Sequence, residues 1–235
     1  MKIAAFQKNS MIDYAGNLSS VIFTAGCNFR CPYCHNAQLV IPEQIQALDL
    51  IEENTIFEYL EKNRLLLDAV VITGGEPTLH KYLPLFIQKI KKLGLKVKLD
   101  TNGTHPNMLT ELIQENLLDY IAMDIKAPLT KEKYSLLTGR EITDTQMNKI
   151  KSSVEIITSS GVLHEFRTTV LKELLSPEDV QQIIQIEPEQ FYIQEYNNQS
   201  IINPEIRDYT SYSEKEIIGI LTDPELYSSY NIRFR

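Results

Sequence analysis

The cysteines of this chain are the first residues whose types and spacing point to a chemistry. Cys27, Cys31 and Cys34 are the only three in the sequence, and they follow a C-x3-C-x2-C spacing. An odd number of thiols cannot all form disulfides, so their clustering favours metal binding or catalysis. A structural zinc ion takes four ligands, and His35 is the adjacent candidate for the fourth, although it directly follows Cys34 and is badly placed to close a tetrahedron. Three thiolates on a 4Fe–4S cubane would instead leave one iron open to a substrate or cofactor.

A second motif, Gly74-Gly75-Glu76-Pro77, has the residue types of a site for a small cation. Two glycines would let a ligand approach the backbone, and the carboxylate of Glu76 would attract an ammonium group. A tight turn without a ligand is the alternative interpretation of the same residues. Tyr33, directly before the last cysteine, offers an aromatic face along which a flat ring could lie.

The elements that must position these residues alternate along the chain. Short apolar, β-branched runs predict strands over residues 18–26, 68–75, 95–103, 118–126, 162–170 and 190–198. Amphipathic segments between them predict helices over residues 54–63, 81–93, 107–116, 145–159 and 177–186. Alternation of this kind predicts parallel strands joined by right-handed crossovers. The strands are too few for a closed eightfold barrel and suit an open barrel or an open twisted sheet. Of these we predict an α/β fold, a partial (β/α)6 TIM-like open barrel of parallel strands.

Domain organisation follows from where this alternation stops. We assign residues 1–203 to one core, which includes the N-terminal segment 1–17. Residues 204–235 read as a short C-terminal extension packed on the core, with a helix near residues 213–221 and a strand within residues 230–235.

Polar residues gather where the predicted strands end. In a parallel α/β fold these carboxyl ends share one face, and that face carries ligand sites. We therefore expect the following residues to converge with the cysteines: Gly26, Gly74, Gly75, Glu76, Asp100, Thr101, Asn102, Gly103, Asp124, Lys126, Arg167, Thr168, Thr169, Glu195 and Tyr196. The alternatives are that Asp100 and Asp124 cap the following helices and that Lys126 and Arg167 form surface ion pairs.

The bulk composition excludes several classes of partner. The net charge of −8 argues against non-specific binding to nucleic acid or an anionic membrane. No apolar run approaches the roughly 18–20 residues that span a bilayer, and the N-terminus has no apolar core of signal-peptide length. We therefore expect a cytoplasmic protein with no nucleic-acid partner and no membrane partner.

These motifs together resemble the radical S-adenosylmethionine (SAM) superfamily, and within it the activating enzymes of glycyl-radical enzymes. The resemblance covers roughly residues 3–196, and the remaining motifs that carry it are AFQKNSMIDYAGNLS at Ala5–Ser19, CPYCHN at Cys31–Asn36, DTNG at Asp100–Gly103, MDIK at Met123–Lys126 and RTTV at Arg167–Val170. Ala15 and Asn17 stand where close relatives have Pro and Lys. We expect the turn that contains them to affect how the protein contacts a partner.

The resemblance implies one 4Fe–4S cluster, held by Cys27, Cys31 and Cys34 with one iron open for SAM. It also implies that SAM is bound by Tyr33, Gly74, Gly75, Glu76, Asp100, Asn102, Asp124, Lys126 and Arg167. Within this set, Tyr33 is expected at the adenine, and Glu76 with the backbone of Gly74 and Gly75 at the methionine ammonium. Asp100, Thr101 and Asp124 match positions that bind a monovalent cation in a related activase.

The function that the resemblance implies is activation of a protein partner. One electron, from a donor such as flavodoxin or ferredoxin, would cleave SAM to methionine and a 5′-deoxyadenosyl radical. That radical would take a hydrogen atom from a glycine of anaerobic ribonucleoside-triphosphate reductase. The alternatives are a radical SAM enzyme with another glycyl-radical enzyme or a small molecule as its target, and a non-catalytic iron–sulfur or zinc protein.

Overall fold

The computed structural model describes residues 1–186, 191–199, 201–221 and 232–234. Its strands form one eight-stranded sheet in the order β1 to β8. They are β1 (Ile3–Ser10), β2 (Ser19–Thr24), β3 (Ala69–Gly74), β4 (Lys96–Thr101), β5 (Tyr120–Asp124), β6 (Leu163–Val170), β7 (Phe191–Glu195) and β8 (Ile232–Phe234). Strands β2 to β7 are mutually parallel, and in the described part of the chain β1 and β8 are the two edges of an open sheet. The prediction of a partial barrel of six parallel strands is therefore confirmed.

The edge strand β1 was not predicted. It runs antiparallel to β2, whereas β8 runs parallel to β7. Only the two end residues of β1, Ile3 and Ser10, are buried, and its second half, Gln7–Ser10, is polar. A polar edge strand of this kind lacks the apolar run by which the inner strands are recognised.

Helices occupy the connections between the parallel strands, as predicted. They are α1 (Ala37–Val40), α2 (Pro42–Gln46), α3 (Glu53–Asn63), α4 (Leu83–Lys92), α5 (Pro106–Gln114), α6 (Lys131–Thr138), α7 (Asp144–Ser159), α8 (Pro177–Ile184) and α9 (Glu214–Ile220). Capping boxes at Thr143 and Ser176 start α7 and α8, and Pro106 starts α5, which is why these boundaries lie close to the predicted ones. Helices α1, α2 and α6 were not predicted, since all three are short and α6 is only weakly amphipathic.

The described part of the C-terminal extension packs beside β6 and α8. The hydroxyl of Tyr212 donates to the carbonyl oxygen of Leu175 at 2.8 Å, and the backbone N–H of Lys172 donates to the carbonyl oxygen of Thr210 at 2.9 Å. Ile217 of α9 is fully buried. The helix predicted near residues 213–221 is thus α9, while the division of the chain at residue 203 stays a prediction.

No helix in the described ranges is long and apolar enough to cross a membrane.

Candidate active site

The carboxyl ends of the parallel strands surround a cavity of about 290 Å³. All of the residues that the sequence analysis assigns to a site line it, namely Cys27, Cys31, Tyr33, Cys34, Gly74, Gly75, Glu76, Asp100, Thr101, Asn102, Asp124, Lys126 and Arg167. Thr169 and Glu195, which were expected at this face because they lie at strand ends, also line the cavity, whereas Gly26, Gly103, Thr168 and Tyr196 are not among its lining residues. Sequence reasoning assigned no role to the lining residues Phe29 and Asn36, although both lie inside the cysteine motif. Convergence of the strand ends therefore brings the separate motifs to one cavity.

The three thiols lie in the loop that follows β2. Cys31 is buried, while Cys27 and Cys34 are half-buried. Burial raises the pKa of Cys27 to about 12 and that of Cys31 to about 11, because the thiolate loses its solvation. Each thiol therefore keeps its proton at neutral pH unless a metal centre replaces that proton.

Arg30 and helix α6 hold this cysteine loop in shape. The guanidinium of Arg30 donates to the carbonyl oxygens of Cys27 and Phe29, at 2.7 and 2.6 Å, and its backbone N–H donates to the carbonyl oxygen of Thr138 at 2.8 Å. Helix α6 ends in Gly139, which has a φ of +61° and where a Cβ would lie 2.3 Å from the carbonyl oxygen of Arg30. The unpredicted helix thus supports the cysteine loop, and Gly139 at its C-terminus is the sequence signal that could have revealed it.

Gly74 and Gly75 let the end of β3 pack against the end of β2. A Cβ on Gly74 would lie 2.4 Å from the backbone nitrogen of Thr24, and one on Gly75 would lie 2.0 Å from the carbonyl oxygen of Gly26. The backbone N–H of Glu76 donates to that same oxygen at 2.7 Å. The sequence analysis attributes both glycines to the approach of a ligand, but the atoms that demand glycine here belong to the neighbouring backbone.

Gly75→Ala is therefore expected to destabilise the protein, since the methyl group would force β3 away from the cysteine loop. Overpacking typically lowers the free energy of unfolding by about 1–3 kcal/mol. The matched control is Gly219→Ala, because Gly219 lies inside α9 with no atom within 4 Å of the added methyl. That control should be neutral or stabilising, by up to about 1 kcal/mol. Denaturant unfolding of both variants tests this, and equal stability of the two would contradict it.

Glu76 joins the end of β3 to the end of β4. Its carboxylate is buried, and Oε1 accepts hydrogen bonds from the backbone and hydroxyl of Thr78 and, at 2.7 Å, from the hydroxyl of Thr101. Oε2 accepts the backbone N–H of Asn102 at 2.7 Å. Each carboxylate oxygen offers about two acceptor positions, and Oε2 uses only one of its two, so it retains one for a ligand.

Two carboxylates face two cations across the cavity. Arg167 donates to Asp124 at 2.8 Å and to Asp100 at 3.2 Å, and Lys126 donates to Asp124 at 2.8 Å. Burial alone would raise the pKa of Asp124, but the charges of Arg167 and Lys126 outweigh it and hold that pKa well below its usual range. These ion pairs lie inside the barrel mouth rather than on the surface.

The predicted monovalent-cation ligands already have partners in this arrangement. Asp100 and Asp124 pair with Arg167, and the hydroxyl of Thr101 donates to Glu76. In the part of the chain that the structure describes, no three His, Cys, Asp or Glu side chains are arranged as ligands of a single metal ion. The side-chain geometry therefore adds no support to the cation site, which stays a prediction.

A second pair of charges fills the barrel below the cavity. The ammonium of Lys98 donates to the carbonyl oxygen of Asp13 at 2.8 Å and to Glu165 at 3.3 Å, and it lies 3.9 Å from Asp100. Both Lys98 and Glu165 are almost fully buried. The turn that contains Asp13 thus closes the barrel at the amino ends of the strands, on the side away from the cavity.

Comparison with known proteins agrees with this site. Residues 21–185 match the model of the Radical SAM superfamily. A proposed glycyl-radical enzyme activating enzyme of Methanocaldococcus jannaschii is 35% identical over 211 residues, which are 88% of this chain and 85% of that protein. A proposed GTP 3′,8-cyclase of Pyrococcus horikoshii is 28% identical over 142 residues, 58% of this chain and 42% of that protein.

Among solved structures, SuiB of Streptococcus suis bound to its precursor peptide SuiA has the same fold. Its TM-score is 0.67 at 14% identity, over 92% of this chain and 48% of that chain. The matched residues 21–185 include the cysteine loop, the Gly-Gly-Glu-Pro motif and every charged residue of the cavity except Glu195. The chain therefore belongs to the Radical SAM superfamily, whose enzymes bind a 4Fe–4S cluster and SAM.

Proposed function

We propose that this radical SAM enzyme activates a glycyl-radical enzyme, with anaerobic ribonucleoside-triphosphate reductase as its target. The observation that carries the proposal is similarity to the Methanocaldococcus jannaschii protein, a proposed activating enzyme, over 88% of this chain. The cysteine content supports it as well. All three cysteines line the cavity, so none is left elsewhere for a second cluster or as a hydrogen donor.

The cavity suits the two groups that the family binds. Its donor set contains three thiols on one loop, which is the number that leaves one iron of a cubane open. Tyr33 Oη is a buried polar atom with no hydrogen-bond partner among the described residues, whereas Asp100 Oδ1, which also lacks a hydrogen bond, faces Lys98 at 3.9 Å. Because an orphaned polar atom is costly, the hydroxyl of Tyr33, a residue that lines the cavity, supports a polar ligand there.

We assign the residues of the cavity the roles that the family resemblance implies. Cys27, Cys31 and Cys34 would hold the cluster. The backbone of Gly74 and Gly75 and the free acceptor position of Glu76 would take the SAM ammonium, Lys126 and Arg167 would balance its carboxylate and ribose side, and Tyr33 would contact the adenine. Asp100, Asn102 and Asp124 complete the SAM pocket. When bound, the reduced cluster and SAM supply the 5′-deoxyadenosyl radical that removes a hydrogen atom from glycine.

The partner would present that glycine at the end of β7. Gln194 and Glu195 line the cavity, and Glu195 also lines an adjoining hollow with Tyr196, Asn197, Asn198 and Tyr209. An extended glycine-containing segment lying in this hollow would approach the cavity at Glu195. The electron would come from a reduced protein such as flavodoxin or ferredoxin.

The test is a reconstitution without oxygen. Enzyme loaded with its cluster is mixed with reductant, SAM and the anaerobic ribonucleotide reductase of the same organism, and omission of the reductase is the control. The expected result is a glycyl-radical doublet in the EPR spectrum together with 5′-deoxyadenosine. Deoxyadenosine without the doublet would send the search to another glycyl-radical enzyme or a small molecule. Absence of both products from a loaded enzyme would contradict the activase proposal.

A further inference from the structure

We infer that Asn102 is a positioning residue for the cluster, which sets its reduction potential through a hydrogen bond to the sulfur of Cys27. The carboxamide nitrogen Nδ2 of Asn102 lies 3.9 Å from that sulfur, within hydrogen-bonding reach of a thiolate. The backbone N–H of Phe29 lies 3.4 Å from the same sulfur. The inference rests on ligation of the cluster by Cys27, which is part of the proposed function, but not on the identity of the substrate.

The neighbours of Asn102 fix which end of its amide faces the sulfur. Oδ1 accepts the backbone N–H and the hydroxyl of Thr104, at 3.1 and 2.7 Å. Nδ2 donates to Oδ1 of Asn28 at 2.8 Å. Since the oxygen is held by two donors, the amide cannot flip, and its second N–H remains for Cys27.

Glu76 holds the whole residue in place. Its Oε2 accepts the backbone N–H of Asn102 at 2.7 Å, and its Oε1 accepts the hydroxyl of the preceding residue, Thr101, at 2.7 Å. Asn102 is only 5% exposed, so few other conformations are open to it. A chain of hydrogen bonds therefore runs from the Gly-Gly-Glu-Pro motif through Asn102 to the cysteine loop.

The hydrogen bond from Asn102 to the sulfur of Cys27 acts on the charge of the reduced cluster. Reduction adds negative charge that spreads over the cluster and its thiolates. An N–H aimed at a thiolate stabilises the more negative state, and hydrogen bonds to the sulfurs are among the factors that set cluster potentials. Loss of the Asn102 donor should therefore make the cluster harder to reduce.

Asn102→Ala tests the inference, with Asn107→Ala as the matched control. Asn107 lies five positions further on, is exposed, and takes no part in the contacts described above. Redox titration of the loaded enzyme, followed by EPR without SAM or partner, should show a more negative potential for Asn102→Ala. The expected change is about tenfold in the equilibrium for reduction, or about 59 mV for one electron. Asn107→Ala should keep the wild-type potential.

An unchanged potential in Asn102→Ala would overturn the inference, even if affinity for SAM were lost. Asn102→Asp gives a second test, because it keeps the shape but replaces the donor with a negative charge. Its potential should be more negative still. If neither variant holds a cluster, wild-type enzyme labelled with 15N-asparagine should show a nitrogen coupling to the reduced cluster in pulsed EPR. Absence of that coupling would overturn the inference as well. Because these readouts need no substrate, failure of the activase proposal would not affect them.

Discussion

Replacing any one of Cys27, Cys31 or Cys34 with Ser is expected to abolish the iron–sulfur cluster and all cleavage of SAM. The chain has no fourth cysteine that could substitute for a lost ligand. A serine hydroxyl is a poor replacement, because its oxygen does not ionise at neutral pH and is a harder ligand than thiolate. Iron and sulfide content after reconstitution, and 5′-deoxyadenosine formed with reductant, measure the two losses. A Ser variant that still cleaves SAM would contradict the assignment of that cysteine.

The matched control is His35→Ala in the same loop. His35 is exposed, and its ring nitrogen Nδ1 lies 3.3 Å from the carbonyl oxygen of Gln199. We expect this variant to keep its cluster and its SAM cleavage. Loss of the metal from His35→Ala would instead indicate a Cys3His zinc site, which is the alternative that the spacing alone leaves open.

Arg167→Met is expected to lower the free energy of unfolding by about 3–5 kcal/mol, because removal of one partner leaves buried charges unpaired. Arg167 is 12% exposed and contacts both Asp100 and Asp124, so two carboxylates would lose their main counter-charge. Urea unfolding at neutral pH measures the effect. Arg64→Met is the matched control, since Arg64 lies exposed just after α3. The free energy of unfolding of this variant should equal that of the wild type.

The pH dependence of the stability lost in Arg167→Met distinguishes the loss of an ion pair from a general packing defect. The pKa of Asp124 is depressed in the folded protein, so its contribution to stability is present above the unfolded pKa of about 3.9 and is lost as the pH falls toward the folded value. In Arg167→Met the carboxylate of Asp124 is left buried without that counter-charge, and its pKa should rise. The stability gap between wild type and variant should therefore narrow as the solution is acidified. A gap independent of pH would contradict this account.

Sequence reasoning located the site well because parallel strands impose a simple rule. Once the strands are recognised, their carboxyl ends must share one edge, and residues as distant as Cys27 and Arg167 are brought together without any knowledge of the loops. The apolar, β-branched runs that reveal the inner strands are strong signals. Edge strand β1 and helices α1, α2 and α6 were missed, because half of β1 is polar and the three helices are short.

The partners of individual side chains could not be read from the sequence. Glu76 accepts the hydroxyl of Thr101 from 25 residues away, and the carboxamide of Asn102 turns toward a loop 74 residues distant. Such pairs depend on strand register and on rotamers, which periodicity leaves undetermined. The same limit explains why the sequence did not reveal that the carbonyl oxygen of Gly26 excludes a side chain at Gly75.

The strictly sequential order of the strands bears on how the protein is made. Each parallel strand from β3 to β7 pairs with the one synthesised just before it, so a chain leaving the ribosome N-terminus first can add strands one at a time. Asp100 and Asp124 would then emerge before Arg167. Until β6 is synthesised, both carboxylates would lack the guanidinium with which they pair in the folded protein. A nascent chain stalled between β5 and β6 should therefore be a weakly stable intermediate. Addition of β6 should stabilise it, because β6 carries Arg167.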